Sequence, residues 1–337
     1  MSEAVGVGVV GFWHVHALDY VHDVAACPKL VLVGGWDHSP IRSGASAGDL
    51  DLPFYGSLDD LLADDRVGAV TVTTETARHV ETVRAAISAG KHVFCEKVLA
   101  LDPQDCAALI AEAGDRGVSL IVSLPRLFEP SVRRAQELIA AGTLGDVTYC
   151  RVSMVHDGWV TGWLPESFAD YASSQGGALI DLGVHPLLIS HELLSGTVRR
   201  VNAHLASVTG RRVEDNVVVT IEYESGAIAV VETSFVAATG ELSFEVRGTK
   251  GALTYSDAHG LSARGGSWGT SWIPIELPPV EYTPMSIWVD EINGYRGPEG
   301  QKIRAAAVEL SRFIQRAYDE KRAAFEAMNG PLREGGT

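Results

Sequence analysis

The chain has 337 residues, 43 acidic against 27 basic side chains, and a formal net charge of −16. That length suits about two domains with ample core, and the acidic balance argues against nucleic acid or an anionic membrane as a partner. No apolar run reaches membrane-spanning length and no basic n-region with an apolar h-region opens the chain, so neither a span nor a leader is expected. Cys27, Cys95, Cys106 and Cys150 form no C-x-x-C pair; they read as reduced core residues of a cytoplasmic protein.

Val5 to Gly11 is small, apolar and β-branched, as a buried first strand should be. A helix follows, expected to bury Val15, Leu18, Val21 and Ala25. Gly6-Val7-Gly8-Val9-Val10-Gly11 satisfies G-x-G-x-x-G as a string but lies inside the strand. The useful register starts at Gly11, where a tight turn lets backbone approach a pyrophosphate; Trp13 and His16 occupy the places of the later glycines. Phe12, Trp13 and His14 are expected to line a dinucleotide. His14-x-His16 also reads as a metal pair; the cofactor-lining role is preferred and no metal is expected.

Leu30 to Gly35 is the second strand, and Asp37 follows it about 25 residues past the turn, where an acid bonds ribose hydroxyls. A carboxylate there repels a 2′-phosphate and favours NAD; Arg42 and Ser39 beside it leave NADP possible. Ser57 caps a short helix, and Gly68 to Thr73 is a third strand. Ala77 to Ala89 is amphipathic and stops at Gly90, and His92 to Cys95 is a short buried strand ending in Glu96 and Lys97. Asp102-Pro103 opens another helix, and Val118 to Ser123 closes the alternation. Strands alternating with helices predict a doubly wound parallel α/β sheet of the Rossmann type over 1–124. Glu96 and Lys97 would lie at its carboxyl edge, where ligands bind; by spacing alone they could equally be a solvated strand end.

Two stretches carry a family resemblance. Val72-Thr73-Thr74-Glu75-Thr76-Ala77-Arg78-His79 and Ala89-Gly90-Lys91-His92-Val93-Phe94-Cys95-Glu96-Lys97 resemble the glucose–fructose oxidoreductase / inositol dehydrogenase / rhizopine catabolism (Gfo/Idh/MocA) family, with its V-x-T-P-N-x-x-H and A-G-K-H-V-x-x-E-K-P patterns. Thr74, His79, Gly90, Lys91, His92, Val93, Glu96 and Lys97 match; Glu75, Thr76 and Val98 replace the family's Pro, Asn and final Pro. Because a cis bond before a non-proline residue costs roughly 3 kcal/mol, the turn holding Lys97 is expected to be built differently here. The resemblance implies cofactor contacts at Gly11, Phe12, Trp13, His14, Asp37, Thr74, Glu75, His79, Glu96 and Lys97.

The second half, 125–328, is expected to be an α+β substrate domain. Arg126 matches a family arginine at the junction. Pro130 to Ala141 is a helix and Asp146 to Val155 a strand. His156 to Gln175 is polar and aromatic, which suits a sugar and equally a loop pinned to the core; His156 and Trp163 are the chosen substrate contacts. Gly176-Gly177-Ala178-Leu179-Ile180-Asp181-Leu182-Gly183-Val184-His185 resembles the family's G-G-x-L-x-D-x-G-x-H at every fixed position. One helix there would put Asp181 and His185 on a shared face, with Gly183 leaving room for a ligand. Strands at Val198–Val208, Asn216–Tyr223, Ala227–Phe235, Leu242–Arg247 and Ala252–Tyr255 predict a large open, mainly antiparallel sheet. A closing helix is expected over 303–324 and a loose tail over 329–337.

The resemblance implies an NAD(P)-dependent oxidoreductase of a sugar, inositol, polyol or related hydroxy or keto compound, with Lys97, Asp181 and His185 catalytic. It also implies a homodimer or homotetramer through the sheet. Two alternatives stay open: an NAD-dependent glycoside-cleaving enzyme working by transient oxidation, and a non-catalytic NAD-responsive regulator.

Overall fold

The computed structural model describes residues 4–50 and 52–329. They divide into two compact units. The first holds the chain through Pro125 together with 172–175 and 282–311; the second holds 126–171, 176–281 and the chain from Arg312.

The first unit carries a five-stranded parallel sheet of β1 (Val5–Val10), β2 (Leu30–Trp36), β3 (Ala69–Val72), β4 (His92–Cys95) and β5 (Leu120–Val122). Its order is β2-β1-β3-β4-β5. The Val, Ile and Leu runs of β1, β3 and β5 are almost wholly buried, as a sheet covered on both faces demands. The strand order reverses between β1 and β3, so a crevice opens beyond their carboxyl ends.

Local signals held where side chains close them. Ser57 caps Leu58–Ala63 by accepting from the Asp60 N–H at 3.0 Å, and Asp102 caps Pro103–Asp115 through the Gln104 N–H at 2.7 Å. The helix after β1 is corrected by a rotation. Ala17–Ala26 buries Ala17, Tyr20, Val21 and Val24, while Val15 and Leu18 are exposed. The i, i+3, i+4, i+7 stripe includes a tyrosine, which hydropathy alone underweights.

The first unit's main stretch ends at Pro125, but it also takes in 282–311, which the sequence placed with the second half. Helix Pro284–Ile292, unforeseen from the sequence, starts in a capping box between Thr283 and Ser286. It packs on β4 and β5, with Trp288 fully buried 5.5 Å from the Phe94 ring. Glu291 accepts from Ser119 Oγ at 2.7 Å and pairs with Arg304 at 3.0 Å. An apolar helix face with a buried acid needs both a wall and partners, and β5 with Arg304 supplies them.

The second unit carries an eight-stranded sheet of β6 (Val147–Val155), β7 (Val198–Ala206), β8 (Asn216–Tyr223), β9 (Ile228–Ser234), β10 (Leu242–Gly248), β11 (Gly251–Ser256), β12 (Gly260–Gly265) and β13 (Ile273–Pro274). The order is β13-β12-β11-β10-β6-β9-β8-β7. Every neighbouring pair is antiparallel except β6 and β9, which run parallel. A parallel neighbour needs a long crossover, and 156–197, with its helices, supplies part of one. β12 and β13 escaped the sequence reading because glycine, arginine and proline dilute their alternation. The closing helix is longer than expected, Pro298–Asn329. Of the expected tail, 330–337 lie outside the described residues.

Trp288→Ala would empty a fully buried site against Phe94. It should lower stability by about 3–5 kcal/mol, read from urea denaturation followed by far-UV circular dichroism.

Candidate functional site

In the first unit the expected cofactor residues gather at the β1–β3 crevice. Gly11 has φ +89°, and a Cβ there would sit 2.6 Å from the Thr74 backbone N. Glycine is therefore required for both turn and packing. Thr73 ties the two strand ends, donating its hydroxyl to the Gly11 carbonyl at 2.6 Å and accepting the Trp13 and His14 N–H groups at 3.2 Å.

Asp37, buried after β2, has both oxygens occupied. Oδ2 accepts the Phe12 N–H at 2.7 Å and Arg42 Nε at 2.9 Å; Oδ1 accepts the Ser39 N–H at 2.7 Å and Arg42 Nη2 at 2.9 Å. Those four bonds use the lone pairs a carboxylate offers. Arg42 also donates to Glu75 at 2.6 Å, and His38 lies 3.3 Å from the same carboxylate. The structure thus places a half-buried guanidinium on the acid that the sequence reading treated as a ribose acceptor.

His79 faces two carbonyls, Val98 O at 2.6 Å and Thr74 O at 3.2 Å. Burial lowers its pKa, against the pull of those carbonyls. Its ring braces the loop after β3 against the turn after Lys97. That turn corrects an expectation: the Lys97–Val98 peptide is cis, so valine here does not force a trans turn. Val98, Leu99 and Ala100 are buried, and the His79 ring holds the Val98 carbonyl.

Glu96 is 0% exposed and Lys97 5% exposed, which removes the solvated-strand-end reading. The Tyr20 hydroxyl donates to Glu96 Oε2. His16 Nδ1 lies 3.5 Å from the same oxygen, while His14 Nε2 and Lys97 Nζ lie 3.8 and 3.7 Å from Oε1. Burial opposes the charge, but His14, His16 and Lys97 outweigh it and hold the Glu96 carboxyl well below the usual range. The Tyr20 phenol is pushed up by burial, then by Glu96.

His14, His16 and Glu96 also bring ligand atoms within 4.8 Å of one another. His14 Nδ1 accepts the His16 N–H at 3.2 Å, so the neutral ring carries its proton on Nε2, the atom toward Glu96. With the Lys97 ammonium on the same carboxylate, the cluster is built around an anion. Sequence reasoning missed Tyr20; its only signal was a tyrosine on the buried stripe of an otherwise apolar helix.

In the second unit the G-G-x-L-x-D-x-G-x-H segment is not one helix. Ala178–Asp181 and Val184–Leu194 are separate, because the Gly183 N–H reaches back to Ala178 O at 2.7 Å and His185 N–H to Leu182 O at 3.2 Å. Gly183 does not leave ligand room either. A Cβ there would lie 2.8 Å from the Leu179 carbonyl and 2.9 Å from a Thr233 methyl. His185 is 6% exposed in the first turn of the second helix.

The aromatic segment forms short helical turns, Gly158–Thr161 and Glu166–Ala169. His156 stacks on Phe235 at 4.9 Å, meets Trp163 at 4.7 Å and accepts the Gly158 N–H at 3.1 Å. Its ring is a packed brace, whereas Trp163 leaves 52% of its surface open. Arg126 donates to Glu129 at 2.6 Å.

Comparison with known proteins agrees with this geometry. A family model described as "Oxidoreductase family, NAD-binding Rossmann fold" matches residues 5–124, and one described as "GFO/IDH/MocA C-terminal domain" matches 132–254. Trans-1,2-dihydrobenzene-1,2-diol dehydrogenase of Sus scrofa is 32% identical over 74% of this chain and 69% of its own. The chain belongs to the Gfo/Idh/MocA family of oxidoreductases. A second family relative, D-xylose 1-dehydrogenase (NADP(+)) 2 of Haloferax volcanii, is 34% identical over 58% of each chain. Among solved family structures, GenD2 from gentamicin A biosynthesis in complex with NAD is 28% identical, covers 100% of this chain and 98% of its own, and has a TM-score of 0.76.

Glu96 supplies a pH prediction. A carboxylate held below its unfolded value stabilises the fold above about pH 4.3 and loses that contribution as pH falls. Between pH 6 and 3 wild type should lose more unfolding free energy than Glu96→Gln, and parallel urea-denaturation curves would contradict the assignment.

Proposed function

We propose that the chain passes a hydride between bound NAD(P) and the CH–OH carbon of a sugar, inositol, polyol or related hydroxy or keto compound. The observation that supports this most is the buried Lys97–Glu96 pair beside the crevice where β1 and β3 diverge. The crevice fits a dinucleotide: Gly11 turns there, and the Phe12, Trp13 and His14 backbone follows at the strand ends. In this reading Gly11, Phe12, Trp13, His14, Thr74, Glu75 and Glu96 hold the cofactor. A bound nicotinamide supplies the hydride chemistry.

The side chains supply proton and charge control. His185 takes the substrate hydroxyl proton, since an imidazole ordinarily titrates near neutrality. Asp181 orients that ring or holds a neighbouring hydroxyl. Lys97 stabilises the developing alkoxide. Trp163 offers an exposed apolar face to the C–H side of a sugar, with His156 bracing it; Arg126 is the remaining substrate contact. NAD is favoured by the Asp37 charge, which repels a 2′-phosphate, and NADP is the alternative through Arg42. A cytoplasmic location and a homo-oligomer formed through the eight-stranded sheet complete the proposal. The two relatives compared above are named dehydrogenases, which favours neither the glycoside-cleaving nor the regulatory alternative.

Absorbance at the nicotinamide band, with NAD or NADP and a panel of polyols, aldoses, sugar acids and keto-sugars, tests the reading. Turnover should fall by about 10²–10⁴ in Lys97→Ala and in His185→Ala. Wild-type rates in both would sink the assignment, and silence across the panel despite cofactor binding would sink the reaction. Arg42→Ala should lower kcat/KM for NADP more than for NAD, by roughly tenfold or more in the ratio.

A further inference from the structure

We infer that Glu214 is a positioning residue for the segment that carries Asp181 and His185. The inference rests on the reading that those two residues take part in the chemistry. Glu214 lies just ahead of β8 and is 3% exposed. Its Oε1 accepts the Gly177 N–H at 2.9 Å, the Leu179 N–H at 3.2 Å and the Tyr318 hydroxyl at 2.5 Å. Its backbone carbonyl accepts the Ala178 N–H at 2.8 Å. One residue therefore receives three consecutive backbone N–H groups, those of 177, 178 and 179. At the start of a helix those groups have no intrahelical partner.

The paired glycines follow from the same packing. A Cβ on Gly177 would fall 1.9 Å from the Glu214 carbonyl oxygen, and one on Gly176 would fall 2.4 Å from the Tyr318 hydroxyl. Only glycine lets the chain lie this close to the clamp. Ala178–Asp181 has a single turn, too short to hold itself in water. Its direction is set by what grips its first N–H groups. Asp181 is its last residue, and the Gly183 and His185 N–H groups bond back to Ala178 and Leu182. A change of grip at 177–179 therefore passes along this short chain to both side chains. Tyr318 stays a donor, because burial and then Glu214 raise its pKa.

Glu214→Ala tests this beside Glu214→Gln, whose amide oxygen can still accept the same N–H groups. In Glu214→Ala kcat should fall roughly 10- to 100-fold, the scale of a small misplacement. KM for the dinucleotide should stay within about twofold, because the crevice of the first unit is untouched. Hydrogen exchange read by mass spectrometry should speed up about tenfold or more in peptides covering 177–185, with the first unit unchanged. Glu214→Gln should stay near wild type in all three readouts. Where the alanine variant does not fold, Glu214→Asp, one methylene shorter, takes its place with the same expected direction.

Wild-type kcat in Glu214→Ala, or wild-type exchange at 177–185, overturns the inference. So does a Glu214→Gln variant as impaired as Glu214→Ala. If His185→Ala keeps full turnover, it is the acid–base assignment that fails, and the exchange data still decide whether Glu214 holds the segment.

Discussion

A carboxylate sealed from water must collect donors and cations or give up its charge, and Glu96 does the first. It sits at the end of β4, fully buried, with Tyr20, His14, His16 and Lys97 around it. Those partners come from the turn after β1, the helix that follows it and the strand end itself. The charge therefore ties together the elements that shape the crevice. Removing one partner would leave the buried charge less well compensated, at a cost to stability. The Lys97 ammonium is held at a defined place by the same attraction, and its own burial keeps it from being a free surface cation.

The second unit repeats the device with a different readout. Glu214 is also buried, but its partners are backbone N–H groups and a tyrosine rather than histidines and a lysine. One carboxylate organises charge, the other organises chain direction. Both work because the low-dielectric surroundings make an unmet hydrogen bond expensive. Asp37 is a third example, with its oxygens shared between Arg42 and two N–H groups. There the consequence bears on cofactor choice, since an arginine on an acid can answer either a ribose or a phosphate.

The fold was legible wherever local rules suffice. β-branched runs marked β1 to β5, Ser57 and Asp102 marked helix starts, and the alternation of Asn216–Tyr223 marked a half-buried strand. The family motifs singled out Lys97, Asp181 and His185. Two of the readings that failed needed a partner distant in sequence, and a third missed a fold-back within five residues. Ala17–Ala26 was turned the wrong way because Tyr20 is drawn inward by Glu96, 76 residues on. The expected single helix through His185 breaks because Gly183 folds back onto Leu179 and Ala178. Helix Pro284–Ile292 joins the first unit because β5 offers it Ser119 and an apolar wall.

The amino-acid order by itself determined most of the strands and helices, that two sheets form, and which short motifs single out candidate site residues. Those properties follow from nearest-neighbour sterics and from periodicity, which any stretch of chain contains within itself. Only the tertiary structure decided that Glu96 is a buried anion with four side chains around it, that Arg42 covers Asp37, and that Glu214 grips the paired glycines. Each of those depends on desolvation, and the first and last on groups dozens of residues apart meeting within hydrogen-bond or ion-pair reach. No local window of sequence holds that information.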